Sequence, residues 1–136
     1  MTYRIQQVLL IVLALSAALV GFWATFAARS FYDSFPGAGH HWVSMDGPFN
    51  AHLVRDVGGL YLSLLVISVC AVWHPSLARI TGGAWLVFSI PHLIYHATHL
   101  SMFSTADKIA NVVSLGGTAL FAALLLFIPH VPKEKA

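Results

Sequence analysis

The chain has 136 residues, of which 58% are hydrophobic and only 9% are charged. A water-soluble domain of this size needs more polar surface, so the composition favours a membrane protein and excludes an ordinary soluble fold. The formal net charge is +2 and the few basic residues are scattered, so the sequence lacks the basic patch that nucleic acid binding requires.

Four apolar stretches are each close to the roughly 20 residues that a helix needs to cross a bilayer. They cover residues 5–28, 49–73, 81–102 and 109–128. The first is longer than the apolar part of a secretory signal and lacks a clear small-x-small cleavage site, so we predict a retained helix. The sequence therefore predicts an all-α fold over residues 1–136, a single integral membrane domain built as a four-helix bundle.

Basic residues beside the predicted spans indicate orientation in the membrane. With the N-terminus inside, the cytoplasmic side holds Arg4, Arg79, Lys133 and Lys135, and the outer side holds Arg29, Arg55 and Lys108. This small bias predicts a multi-pass cell-membrane protein with both termini in the cytoplasm. The loop between the first two spans then lies outside, and its prolines, glycines and aromatic residues predict a folded lid rather than a free linker. Four tryptophans near predicted helix ends are expected to be interfacial anchors, namely Trp23, Trp42, Trp73 and Trp85.

Most histidines and carboxylates fall at the predicted outer end. In the third span His92, His96 and His99 follow offsets of four and seven residues, so a helix would project all three imidazoles from one face. At the start of the second span His52 and Asp56 are one turn apart, with Arg55 beside them. Equal helical rise predicts that His52 lies near the depth of His99 and Asp56 near that of His96. In the fourth span a polar stripe is expected to turn inward, and its members are Asp107, Asn111, Ser114 and Thr118.

Imidazole is the commonest protein ligand of zinc, copper and iron, and helical bundles build metal sites from such clusters. The candidate ligands are His52, His92, His96 and His99, with Asp56 as a further ligand or as the acceptor that orients a histidine. Asp56 and Arg55 are the candidate catalytic residues. The leading hypothesis is a membrane metal-binding protein, with its site near the outer surface, that performs redox chemistry or activates a bound water. Outer ligands could come from His40, His41, Met45 and Met102, and sulfur would favour copper.

Three other functions fit the same residues. Haem b could be held axially by one histidine from each of two helices, with Arg55 on a propionate. Alternatively, the chain is a non-enzymatic accessory subunit of a larger membrane complex and binds no cofactor. Its protein partners would then be other membrane proteins, or further copies of itself in a homo-oligomer. A quinone could also occupy the pocket, with histidine and aspartate as proton relay. Simpler structural roles remain for Arg55 with Asp56 as an ion pair, and for Cys70 as a small hydrophobic residue.

The segment from residue 31 to 62 carries the pattern WV-x3-GP-x-N-x-HL-x-RD-x-G, which begins at Trp42 and ends at Gly58. This segment resembles one in uncharacterised small four-helix membrane proteins of actinobacterial type. The resemblance implies a shared architecture and no particular substrate. The spacing of His92, His96 and His99 is also similar to a histidine box of membrane hydroxylases and desaturases, but those enzymes are longer and carry several boxes, and a second box is missing here.

Overall fold

The computed structural model describes residues 2–127, and the regular secondary structure in this range is helical. The elements are α1 (Thr2–Phe26), α2 (Ala28–Ser34), α3 (Ala51–Trp73), a 3-10 turn (Pro75–Leu77), α4 (Ala78–Thr98) and α5 (Thr105–Phe127). Four of these segments are long and apolar enough to cross a membrane. The prediction of an all-α, multi-pass membrane protein is therefore confirmed at this level. The predicted end of the last span at Ile128, together with His130 and the basic tail, lies outside the described residues.

Helix boundaries differ from the predicted ones for local reasons. The α5 helix begins at Thr105, before the apolar run, because Ser104 caps it. The Ser104 hydroxyl donates to Asp107 Oδ2 (2.7 Å), and the Asp107 N–H donates back to Ser104 Oγ (3.2 Å). The α4 helix ends at Thr98, since His99 leaves helical geometry with φ −118° and ψ 33°. Short polar residues at this end thus set the helix bounds more strongly than the apolar pattern does.

Contacts divide the chain into two compact units, one of which is Leu15–Leu65. Its core is formed by Ala24, Ala28, Phe31 and Val54, surrounded by Val20, Trp23, Phe35, Val43 and Phe49. Close helix approach accompanies this packing, because a Cβ placed on Gly58 would lie 2.6 Å from the backbone nitrogen of Thr25. A Cβ on Gly21 would similarly lie 3.1 Å from the backbone nitrogen of Leu62.

The loop before α3 is folded, and its first part is the short helix α2. The Trp42 N–H donates to the Phe35 carbonyl (2.8 Å), and the Tyr32 hydroxyl donates to the Gly47 carbonyl (2.6 Å). The Arg29 guanidinium bonds Asp33 (2.7 Å), and this hydrogen bond, reinforced by the carboxylate charge, raises the pKa of Arg29. The loop is therefore ordered within its unit, as expected of a folded segment rather than a free linker.

The second unit contains residues up to Ala14 and those from Val66 onward. Here α4 packs along α5, and the closest approach is at Gly82, where a Cβ would lie 2.7 Å from the Ala122 carbonyl oxygen and 3.0 Å from Leu125 Cβ. Trp85 is fully buried and its indole N–H donates to Ser68 Oγ (2.9 Å). The expectation that Trp85 is an interfacial anchor is therefore wrong. Its indole N–H has a hydrogen-bond partner inside the protein, which removes the need for an interfacial position.

Candidate functional site

The buried face of α4 leads to two of the three histidines of the third span. Five buried residues mark this face, namely Ala78, Thr81, Gly82, Trp85 and Ser89. Continuing the same spacing by three and seven residues from Ser89 leads to His92 and His96, which are both half-buried. The two histidines thus extend the packing stripe of the helix toward the end that α4 shares with the start of α5.

The imidazoles of His92 and His96 are neighbours. Their ring centroids are 4.6 Å apart, with the ring planes at 74°. Phe88 stacks on His92 from the preceding turn, with centroids 5.1 Å apart. Two histidines four residues apart on one helical face can bind one ion together, so this pair is a candidate for two ligands of one metal ion.

His99 stands apart from the stripe because the helix ends before it. Its ring stacks on Tyr95 at 4.2 Å, with the two planes only 16° apart. Its Nδ1 atom lies 2.8 Å from the Tyr95 carbonyl oxygen and 3.1 Å from Thr98 Oγ1. The structure therefore places His99 on the exposed end of α4, where local hydrogen bonds orient its ring.

The start of α3 carries the candidate residues of the second span. Asn50 Oδ1 accepts hydrogen bonds from the backbone N–H groups of His52 (3.0 Å) and Leu53 (3.2 Å), which caps the helix. One turn on, His52 Nδ1 lies 2.8 Å from Asp56 Oδ2, and their side chains are 82% and 60% exposed. Arg55 is also exposed. Asp56 thus pairs with the imidazole rather than serving only as a partner for the adjacent arginine.

The polar stripe on α5 turns inward at one position above all. Asn111 is 2% exposed, whereas Ser114, one turn further on, is exposed. The Ser114 hydroxyl donates to the Asn111 carbonyl (3.0 Å), and the Thr118 hydroxyl donates to the Ser114 carbonyl (2.9 Å). Backbone carbonyls therefore satisfy the two hydroxyls, and Asn111 is the member of the stripe that brings a polar side chain into the packed interior.

The candidate outer ligands have mainly structural surroundings. His41 Nδ1 bonds the Asp33 carbonyl, and the His40 ring packs edge-on against Trp42 with centroids 6.4 Å apart. Met45 and Met102 are exposed. Among residues 2–127, no three His, Cys, Asp or Glu side chains come together as a set that could hold a metal ion. The structure brings two of the candidate ligands, His92 and His96, into ring contact.

Ser89 is the residue of this region that sequence reasoning missed. It precedes His92 by three residues and His96 by seven, so helical spacing alone would have placed it on the imidazole face. It is 4% exposed and adds a buried hydroxyl to the face that carries His92 and His96.

Comparison with protein-family models, with curated proteins and with solved structures gives no match to this chain.

Proposed function

We propose that this protein is a membrane metal-binding protein that holds a transition metal through His92 and His96. The observation that carries the proposal is the contact between the two imidazoles, whose centroids are 4.6 Å apart on the packed face of a membrane-spanning helix. Imidazole is the commonest metal-binding side chain, and histidines grouped inside helical membrane segments commonly serve a ligand.

Two imidazoles leave open positions on the metal. We propose His99 as a further ligand of this metal. His52 and Asp56, on the other compact unit, stay the predicted ligands of the second span, with Asp56 as the alternative acceptor that orients a histidine. Copper, zinc and iron all accept this donor set. When bound, such a metal supplies either an electron-transfer centre or a Lewis acid for water. Asp56 would hold a proton near it, and Arg55 would hold an anionic group.

The proposed orientation puts the site on the extracytoplasmic side. The distribution of basic residues supports both termini in the cytoplasm, which makes the end of α4 and the start of α5 outward-facing. The lipid bilayer is then the main surrounding of the four spanning helices.

The test is elemental analysis with an absorption spectrum on detergent-purified protein. We compare the wild type with the double variant His92→Ala, His96→Ala, and use His74→Ala as control because His74 is exposed at the start of the 3-10 turn. The proposal expects near-stoichiometric metal in the wild type and in the control, and its loss in the double variant. A Soret band instead would establish haem b. If the purified protein contains neither metal nor haem and co-purifies with a partner protein, the proposal is wrong and the chain is an accessory subunit.

A further inference from the structure

Gly82 sets the register between α4 and α5. It lies opposite Leu125 and Ala122, and the two helices are antiparallel because a short connection, residues 99–104, joins them. Seven-residue steps keep a residue close to the same helical face. From Gly82 such steps lead to Ser89 and His96 on α4. From Leu125 they lead back to Thr118 and Asn111 on α5.

The same register can be followed through Ala122. Asn111 lies eleven residues before Ala122, and the residue eleven positions after Gly82 is Leu93. Helices rise equally per residue, so Asn111 is at the level of the turn from Leu93 to His96. Both routes put the Asn111 side chain, which is 2% exposed, opposite the turn that carries the paired imidazoles.

Two buried polar atoms on the facing sides of α4 and α5 lack a hydrogen bond. Among residues 2–127, neither Asn111 Oδ1 nor Ser89 Oγ has a hydrogen-bond partner, although both atoms are enclosed by protein. Buried polar groups are nearly always bonded, and the cost of leaving them unmet is higher in a membrane-spanning segment. Asn111 Oδ1 is an acceptor without a hydrogen bond, so the group that would satisfy it must be a donor.

We infer that Asn111 accepts a hydrogen bond from an O–H group of the ligand that binds beside His92 and His96. The ligand is thus a hydroxyl-bearing one. On the same helical face the Ser89 hydroxyl lies one turn from His92 and two turns from His96. Two sources carry this chemistry: a water on the metal of the proposed function, on which that arm of the inference rests, or the hydroxyl of a quinol that enters from lipid. Ile94 and Tyr95 are exposed next to the site, so its rim faces the bilayer.

Asn111→Leu tests the inference because leucine has the same branched side-chain skeleton, with two methyl groups in place of the amide oxygen and nitrogen, and no acceptor. Ser114→Ala is the matched control, since Ser114 is exposed one turn along the same helix. Purified metal-free protein is titrated with Co²⁺, followed by its absorption spectrum, and separately with a short-chain benzoquinol, followed by fluorescence. Circular dichroism verifies that each variant is folded.

We expect Asn111→Leu to weaken the binding of Co²⁺ or of the quinol by about tenfold or more, the effect typical of residues that hydrogen-bond to a ligand. Ser114→Ala should leave the binding of both probes unchanged. Weakened Co²⁺ binding identifies a metal-bound water, and weakened quinol binding identifies the quinol. If Asn111→Leu binds Co²⁺ as the wild type does and quinol binds neither protein, the inference is overturned and the proposed metal function stands. If the wild type binds neither Co²⁺ nor the quinol, the inference and the proposed metal function are both wrong.

Ser89→Ala provides a second, independent reading. If Asn111 and Ser89 are only structural, replacing either with an apolar residue raises thermal stability and leaves binding unchanged. That outcome overturns the inference. If they face a ligand, Ser89→Ala weakens the same probe as Asn111→Leu.

Discussion

The Nδ1 atom of His52 lies 2.8 Å from Asp56 Oδ2, one turn along α3, and both side chains are mostly exposed. The carboxylate therefore already has a partner within its own helix. Any ligand that takes His52 or Asp56 must compete with this contact or use the groups as a pair.

Asp56→Asn should lower the free energy of unfolding by less than about 1 kcal/mol, because an exposed pair one turn apart contributes little to stability. The expected effect on bound metal is larger, since we propose Asp56 as a ligand or as the acceptor that orients one. Thermal unfolding and metal content are measured on the same preparation. A large loss of stability would show that the pair is structural, and unchanged metal content would remove Asp56 from the site.

Gly82→Ala should destabilise the protein by about 1–3 kcal/mol, because the new Cβ meets the Ala122 carbonyl oxygen at 2.7 Å and overpacked interiors relax at that cost. Gly83→Ala is the control. No atom from elsewhere in residues 2–127 lies within 4 Å of a Cβ at Gly83, so alanine there should be neutral or stabilising by up to about 1 kcal/mol. The two variants are compared by thermal unfolding in detergent. Equal effects would contradict the packing of α4 on α5 at Gly82.

Ser68→Ala should destabilise the protein by about 1 kcal/mol, because it removes the oxygen that accepts the buried indole N–H of Trp85. Ser63→Ala is a suitable reference, since Ser63 is exposed on the same helix and its hydroxyl donates to the Gly59 carbonyl (3.0 Å). Thermal unfolding, with tryptophan fluorescence as a second probe, reports both variants. A blue-shifted or unchanged spectrum with no loss of stability would be at odds with this bond.

Cysteine labelling tests the proposed orientation. In a Cys70→Ala background, a membrane-impermeant maleimide added to intact cells should label Ser34→Cys, at the end of α2, and spare Ser76→Cys, in the 3-10 turn. Both positions should react after permeabilisation, because both residues are exposed. The reverse pattern in intact cells would put both termini outside and the imidazole pair at the cytoplasmic surface.

The spanning helices could be predicted from sequence because apolar length is a property of each segment alone. The pairing of His92 with His96 also followed from helical spacing. The same spacing failed for His99, since α4 ends at Thr98 and local bonds to Tyr95 and Thr98 then fix the ring. Where a helix ends depends on caps and turns of a few residues, which compete closely in energy with one more helical turn.

Paired glycines illustrate a second limit of sequence reasoning. In both Gly58-Gly59 and Gly82-Gly83 only the first member meets a neighbouring helix, whereas no atom from elsewhere in residues 2–127 lies within 4 Å of a Cβ at Gly116 or Gly117. The pattern predicts that close approach is available but not which residue uses it, because that depends on how the partner helix is rotated. Likewise, the α5 stripe predicted a polar face, but packing decided that Asn111 and not Ser114 is buried.

The short connection between Thr98 and Thr105 has a consequence for biosynthesis. Asn111 is buried in the folded protein, but it would face lipid if α5 entered the membrane after α4, with time to equilibrate between. So short a connection keeps the second helix beside the first as both leave the insertion machinery. We therefore expect the hairpin of α4 and α5, rather than the single helix, to be the unit that enters the membrane.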